Sequence, residues 1–142
     1  TRETGVFPME KEKVLDPLGH MVLSVSDLAK SKGFYGKLFE VLGFEKIRDT
    51  ESSAAWATRE GFGFWFKQAR NAQPAYVFSS PGLHHFCFKA ESPGQVDEVY
   101  AFVLRQGVEV FKPPRLCPQF TSKYYAMQFA DVDGIHLEVA YY

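Results

Sequence analysis

The chain of 142 residues has little of several features that mark large classes of proteins. It contains two cysteines, Cys87 and Cys117, which are too few for a disulfide framework, so we expect reduced thiols. Lys and Arg number 16 and Asp and Glu number 17, and this net charge of −1 argues against nucleic acid as a partner. No apolar run approaches the roughly 20 residues that span a bilayer. We therefore expect no membrane partner and a cytoplasmic location.

Aromatic residues are abundant, with 14 Phe, 7 Tyr and 2 Trp in a sequence that is 46% hydrophobic. The length suits one domain with a sizeable core. Residues 1–17 are polar and of mixed charge, and we predict a loose tail there. The aromatic content indicates that residues 18–142 form one globular domain with an aromatic core or pocket.

One strand pattern occurs twice along the chain. LGHMVLSVSD at 18–27 matches LHHFCFKAES at 83–92, and each segment carries a histidine near its start, His20 and His85. Apolar residues at helical spacing follow each segment. A repeated strand and helix indicate that the domain consists of two related halves.

The signals at the helix ends also repeat. The first helix has Ser26 or Asp27 as its N-cap candidate and Gly43 as its C-terminal glycine. The second has Ser92 as its cap and ends at Gly107. Glycine-led terminal strands close each half, EGFGFWFKQ and ADVDGIHLEVAY. The remaining strands are predicted near 44–49, 54–59, 108–111 and 124–130. This order predicts two βαβββ modules, about 18–80 and 81–142.

Alternation along the strands predicts which side chains face away from the helices. Successive strand residues point to opposite faces, and in each strand the apolar set belongs on the helix side. The opposite faces then collect His20, Trp65, Lys67, His85 and Glu138. Because unpaired charges are costly to bury, these faces are expected to line a wet or ligand-filled concavity.

Three segments together resemble the vicinal oxygen chelate superfamily, which includes glyoxalase I, fosfomycin- and bleomycin-resistance proteins and extradiol dioxygenases. They are GHMVLSVSDLAKSKGFYGKLFEVLGF, LHHFCFKAESPGQVDEVYAFVLRQGVEVFKPPR and YYAMQFADVDGIHLEV. The resemblance implies an α+β fold in which two tandem βαβββ modules form a curled mixed sheet around a concave metal and substrate cavity. It also implies a homodimer, which would cover the open sheet edges.

The resemblance also implies the positions of the metal ligands. They lie on the first and last strand of each module, and here these positions hold His20, Trp65, His85 and Glu138. An indole cannot ligate a metal, since it offers only an N–H donor. We therefore predict that one divalent ion per chain, Zn, Ni, Mn or Fe, is bound by His20, His85 and Glu138, with Glu138 also catalytic. The Trp at the fourth position argues against isomerisation of the methylglyoxal–glutathione adduct.

Other residues are assigned to substrate binding or to support of the site. Trp65, Lys67 and Tyr125 form the predicted substrate-binding set. The Tyr124–Tyr125 pair is expected chiefly to pack, with one hydroxyl able to enter the site. His84 is predicted to be a hydrogen-bonded structural residue on the helix face. KPPRLCPQFTSK at 112–123 is predicted to be irregular, either a functional loop over the pocket or a plain connector.

Three functions remain open at the level of sequence. The first is a metalloenzyme acting on a small substrate with vicinal oxygens, as a lyase or isomerase, a dioxygenase or a ring-opening transferase. The second is a metal-free drug- or metabolite-binding protein of the bleomycin-resistance type, in which the predicted ligands are only polar residues at strand ends. The third is a catalytically idle relative retained for its dimer interface.

Overall fold

The structure is a computed structural model that describes residues 17–142, so all but the last residue of the predicted tail lies outside the described residues. The described residues form eight strands and two helices. In chain order these are β1 His20–Val25, α1 Leu28–Leu42, β2 Glu45–Asp49, β3 Ser53–Ala57, β4 Gly63–Gln68, β5 Phe86–Lys89, α2 Pro93–Gln106, β6 Val110–Leu116, β7 Tyr125–Ala130 and β8 His136–Tyr141.

The strands form two four-stranded mixed sheets with the same order of strands. The first sheet runs β1-β4-β3-β2 and the second runs β5-β8-β7-β6. In each sheet the first pair is parallel and the other two pairs are antiparallel. This confirms the predicted α+β fold of two βαβββ units, although the sheets are separate and neither is closed. Neither helix of the described residues is long and apolar enough to cross a membrane.

Glycines in the left-handed region occupy matching positions in the two halves. Gly43 and Gly107 end the helices at φ 79° and 69°. Gly61 and Gly134, which precede the terminal strands β4 and β8, have φ 98° and 81°. Residues with a Cβ rarely adopt this region. The positions of these glycines in the sequence therefore predicted where the chain turns in each half.

The two halves share one aromatic core between their helices and the inner faces of their sheets. Phe34 of α1 lies 5.5 Å from Phe102 of α2 between ring centroids, and Phe39 of α1 lies 5.5 Å from Phe88 of β5. In β4 and β8 several apolar side chains on the helix side are almost fully buried, as alternation predicts. Among them are Phe64, Phe66, Leu137 and Val139.

A buried polar contact also joins the halves. Tyr35 of α1 donates its hydroxyl to Oδ2 of Asp131 at 2.5 Å, and Oδ1 of Asp131 accepts the backbone N–H groups of Asp133 and Ile135. Burial raises the pKa of the Asp131 carboxyl and raises the pKa of Tyr35 well above its usual value. Ser26 adds a second link by donating to the Asp133 carboxylate, and the helix N-cap is Asp27.

One sequence prediction about the strands is wrong. Lys112 to Leu116 belong to β6, whereas the sequence predicted an irregular loop from residue 112. The strand is at the edge of its sheet, and its pairing with β7 is interrupted between Lys112 and Arg115, around the two prolines. An edge strand tolerates proline because one side of it needs no N–H donor.

Candidate functional site

The second sheet carries a cavity of about 490 Å³ on the face opposite its helix. This cavity is treated as the candidate site because two of the predicted metal ligands line it. Its walls are His85, Cys87, Phe120, Thr121, Tyr124, Gln128, Glu138 and Tyr142.

Glu138 is a buried carboxylate at the wall of this cavity. It is 5% exposed, and the Tyr124 hydroxyl lies 3.0 Å from Oε1 and 3.3 Å from Oε2. Across the strand pair it faces Cys87, and burial together with this carboxylate raises the pKa of the Cys87 thiol to about 12. Within residues 17–142 it forms no ion pair with Lys or Arg. A carboxylate buried without a cation is costly, which makes this position suited to a bound cation.

Aromatic rings form the other wall of the cavity. Tyr142 stacks on Tyr124 with centroids 5.0 Å apart, and Phe120 lies 5.1 Å from Tyr124. The Lys89 ammonium lies 4.4 Å from the centroid of Tyr142. Burial, together with Glu138, raises the pKa of Tyr124. The hydroxyl therefore stays protonated and is a hydrogen-bond donor to the Glu138 carboxylate.

Three histidines lie at one end of the second sheet. Nδ1 of His85 is 2.8 Å from Nδ1 of His84. The prediction that His84 faces a helix is wrong. The strand β5 begins only at Phe86, so the alternation of side chains along β5 does not extend to His84. Its ring lies 4.6 Å from Phe78, which stacks on His136 at 3.8 Å. Burial lowers the pKa of His136, and the neighbouring His84 lowers it further.

The first sheet brings His20, Trp65 and Lys67 to one face. A Cβ added to Gly63 would lie 2.8 Å from Nε1 of Trp65 and 3.4 Å from Cβ of His20, so the indole lies over Gly63 beside the histidine. The Arg48 guanidinium lies 5.9 Å from the centroid of the Trp65 ring. Lys67 is exposed on the same face. The structure therefore places Trp65 beside His20 and Lys67 farther along the same face.

The predicted metal trio is not assembled within one chain. Among residues 17–142 no three His, Cys, Asp or Glu side chains form a group able to hold a metal ion. His85 and Glu138 line the same cavity, whereas His20 belongs to the other sheet. Two potential donors therefore line one cavity, and the described residues bring no third predicted ligand to it. The ligand set remains a prediction.

The tyrosine that reaches the candidate site is Tyr124. Tyr125 lies on the helix side, where its hydroxyl donates to Asp97 of α2 at 2.6 Å. The sequence contains a signal for this, since Tyr125 has the same strand parity as the buried Met127 and Phe129. Sequence reasoning also missed the aromatic wall, whose residues precede β7 and follow β8.

A larger cavity of about 640 Å³ lies along the seam between β1 and β5. Its walls are mostly apolar, and Phe62, Phe86 and Met21 are among them. None of the predicted metal ligands lines it. The smaller cavity on the second sheet is therefore the better candidate for chemistry.

Comparison with known proteins gives a consistent family assignment. The model of the Glyoxalase/Bleomycin resistance protein/Dioxygenase superfamily matches residues 17–139. The chain is 30% identical over 122 residues to the Bacillus subtilis protein YqjT, a match that covers 84% of this chain and 94% of that protein.

Two further comparisons extend the assignment. The crystal structure of a glyoxalase-like protein from Bacillus halodurans superposes with a TM-score of 0.76 at 20% identity, covering 90% of this chain and 97% of that one. At that identity the likeness shows the fold alone. The chain is also 31% identical over 97 residues to the 2,2',3-trihydroxybiphenyl dioxygenase of Sphingomonas paucimobilis. That match covers 66% of this chain and only 31% of the dioxygenase.

Proposed function

This chain belongs to the Glyoxalase/Bleomycin resistance protein/Dioxygenase superfamily, and from that premise we propose that it is a divalent-metal-dependent enzyme acting on a small substrate with two adjacent oxygens. The observation that carries the proposal is the environment of Glu138. Its carboxylate is buried, holds one hydroxyl donor in Tyr124 and shares its cavity with His85. A cation bound by Glu138 and His85 would offset the cost of burying that charge.

The third ligand of the proposal, His20, comes from a second copy of the chain. Within one chain His20 lies on the other sheet, and no group of three ligands forms among the described residues. Both open faces carry exposed apolar side chains, with Val22 45% and Phe120 66% exposed. Apolar surface of this kind suits coverage by another copy. A two-fold homodimer then places His20 of one protomer against His85 and Glu138 of the other.

The chain's own residues have distinct roles in this proposal. A bound divalent ion supplies Lewis-acid stabilisation of charge that develops on substrate oxygens. Tyr124 holds the Glu138 carboxylate in place by donating to it, and Glu138 is the group that accepts a proton from the substrate. Trp65 and Lys67, which lie on the face of His20, contact the substrate by stacking and by charge.

Metal analysis of purified variants tests the ligand set. Wild type is expected to bind one Ni²⁺, Mn²⁺, Fe²⁺ or Zn²⁺ per chain, whereas His20→Ala, His85→Ala and Glu138→Gln each lose stoichiometric metal. The matched control is His136→Phe, which keeps a planar ring between Phe78 and Phe111. Metal retained by all three ligand variants, or none bound by wild type, would contradict the proposal.

Mixing two inactive homodimers tests whether the site is shared. If His20 comes from the partner, a mixed dimer of His20→Ala and Glu138→Gln chains contains one intact site. Statistical exchange of subunits then restores about a quarter of the wild-type metal content. If all ligands came from one chain, mixing would restore none. Screening the metal-loaded protein with a catechol, an α-ketoaldehyde–thiol adduct and fosfomycin then identifies the reaction.

A second function is favoured by one specific observation, the aromatic wall of the cavity. Phe120, Tyr124 and Tyr142 form a surface on which a flat organic molecule can stack. A metal-free protein that binds a drug or metabolite needs this wall and does not need His20 near Glu138. Tight binding of an aromatic ligand by chelator-treated protein, together with no metal binding, would favour this function over the enzyme.

A further inference from the structure

The histidine that precedes His85 in the sequence contacts it directly. We propose that His84 is a positioning residue that sets the tautomer and ring orientation of His85, which leaves Nε2 of His85 as the free lone pair for a metal. The inference rests on the proposed metal site and adds to it a residue outside the predicted ligand set. It follows from the contact between the two rings and from the structures that hold His84 in place.

The contact between the rings constrains where the protons lie. The two Nδ1 atoms are 2.8 Å apart, which is a hydrogen-bond distance, and such a bond needs a proton on one Nδ1 and a lone pair on the other. If His85 donates, its Nδ1 carries the proton and its Nε2 is unprotonated. If His84 donates, neutral His85 carries its proton on Nε2 and has no lone pair there for a metal.

His85 lines the cavity that also contains Glu138. Within the described residues Nε2 of His85 makes no hydrogen bond, so the ring has one engaged nitrogen and one available nitrogen. Histidines that ligate metals usually donate their other N–H to a fixed acceptor, which holds the ring and raises its basicity. Nδ1 of His84 is placed to be that acceptor.

His84 is itself held in place by a column of stacked rings. Its ring packs against Phe78, and Phe78 stacks on His136 with planes 8° apart. Phe111 of β6 stacks on the other face of His136 with centroids 3.8 Å apart. The column runs from the second sheet to the segment before β5. The ring of His84, the acceptor that His85 meets, therefore packs against one end of this column.

The backbone at His84 is fixed independently of its ring. The Tyr76 hydroxyl is within hydrogen-bond distance of the carbonyl oxygens of Leu83 and His84, at 3.0 and 3.1 Å. Both the main chain and the ring of His84 are thus restrained. Restraint of this kind is what a positioning residue needs, because a mobile acceptor would not select one tautomer of its neighbour.

Nitrogen NMR of the imidazoles tests the inference without any metal. In two-bond proton–nitrogen correlation spectra at about pH 8, wild-type His85 is expected to carry its proton on Nδ1 and His84 on Nε2. In His84→Phe, which keeps a ring against Phe78 but has no acceptor, His85 is expected to lose that preference. A proton on Nε2 of wild-type His85 would overturn the inference.

Metal affinity provides the second measurement, made by calorimetric titration with Ni²⁺ alone. His84→Phe is expected to weaken the affinity about 10- to 100-fold with the stoichiometry unchanged. His84→Gln, whose side-chain carbonyl can accept the N–H of His85, is expected to recover most of the loss. Equal weakening in both variants would show that only packing had been disturbed, and unchanged affinity in His84→Phe would equally overturn the inference.

The two measurements separate this inference from the proposed function. If wild type binds no metal, the proposed metalloenzyme function is wrong, and so is the metal-binding purpose assigned to His84 and His85. The NMR spectra still decide whether His84 sets the tautomer of His85. If wild type binds metal and His84→Phe changes neither the spectra nor the affinity, the metal site stands and only the role of His84 is removed.

Discussion

Removing the hydroxyl of Tyr35 should weaken the link between the two halves of the fold. Tyr35 is fully buried and its hydroxyl donates to the largely buried Asp131 carboxylate. Among residues 17–142 this carboxylate otherwise accepts only two backbone N–H groups. A hydrogen bond to a charged group contributes about 1.5–3 kcal/mol, and Tyr35→Phe leaves a buried oxygen without its donor. We expect a loss of about 2 kcal/mol in the free energy of unfolding. For a domain of this size that lowers Tm by about 8 °C.

Urea unfolding and calorimetry of Tyr35→Phe measure this loss directly. The matched control is Tyr125→Phe, which also removes a hydroxyl, here from an exposed hydrogen bond to Asp97. Its expected cost in the free energy of unfolding is less than about 0.5 kcal/mol. A double-mutant cycle with Asp131→Asn should give a coupling of about 0.5–3 kcal/mol for a direct contact. The reasoning is refuted if Tyr35→Phe is no more destabilising than Tyr125→Phe.

The same variant has a distinct dependence on pH. The folded protein raises the pKa of Tyr35, chiefly by burial, so the neutral phenol is favoured in the folded state. The associated stability is complete below the unfolded pKa of about 10. It falls by up to about 1.4 kcal/mol per pH unit as the pH rises above that value, because only the unfolded chain ionises readily. Tyr35→Phe should lose this component of the alkaline decline, which unfolding curves at a series of alkaline pH values would reveal.

Three further predictions concern single side chains. Ser31→Ala should raise the free energy of unfolding by about 1 kcal/mol in chemical denaturation. The buried Ser31 hydroxyl has no hydrogen-bond partner among the described residues, and alanine favours the helix. A destabilised variant would contradict this prediction. Gly63→Ala should displace the Trp65 indole, shift its fluorescence and cost about 1–3 kcal/mol, since the new Cβ would lie 2.8 Å from Nε1. Gly33→Ala in α1 is the control, because its Cβ meets nothing within 4 Å and it should stabilise the protein. Cys87 has a thiol pKa of about 12. At mildly alkaline pH it should react with iodoacetamide roughly a thousandfold more slowly in the folded than in the urea-unfolded protein, as measured by peptide mapping. Equal rates would show that the thiol is neither buried nor repelled by the Glu138 carboxylate.

Local patterns in the sequence were sufficient for most of the secondary structure and for most of the strand faces. Alternation assigned Phe64 and Leu137 to the core, and both are 0% exposed, while Trp65 and Glu138 take the opposite faces. This works because the two-residue period of a strand is set by covalent geometry and needs no knowledge of the rest of the fold. The helix-side position of Tyr125 was predictable in the same way, because it has the strand parity of Met127 and Phe129.

Two local features were not predictable because they depend on neighbouring strands. The prolines of β6 predicted a loop, and only the position of β6 at the edge of its sheet permits them in a strand. His84 was assigned to the helix face by extending the alternation past the first residue of β5. The first residue of β5 is decided by its pairing with β8. The sequence of β5 alone does not contain this information.

The sequence by itself determined the two βαβββ units, their caps and the residues available on their open faces. It did not determine how one open face lies relative to the other. That relation is set by packing between the halves, through Phe34 against Phe102 and Tyr35 against Asp131. These contacts join residues far apart in the chain, so no local period reports them. As a result His85 and Glu138 share a cavity while His20 is left on the other sheet, and this separation is a property of the tertiary structure alone.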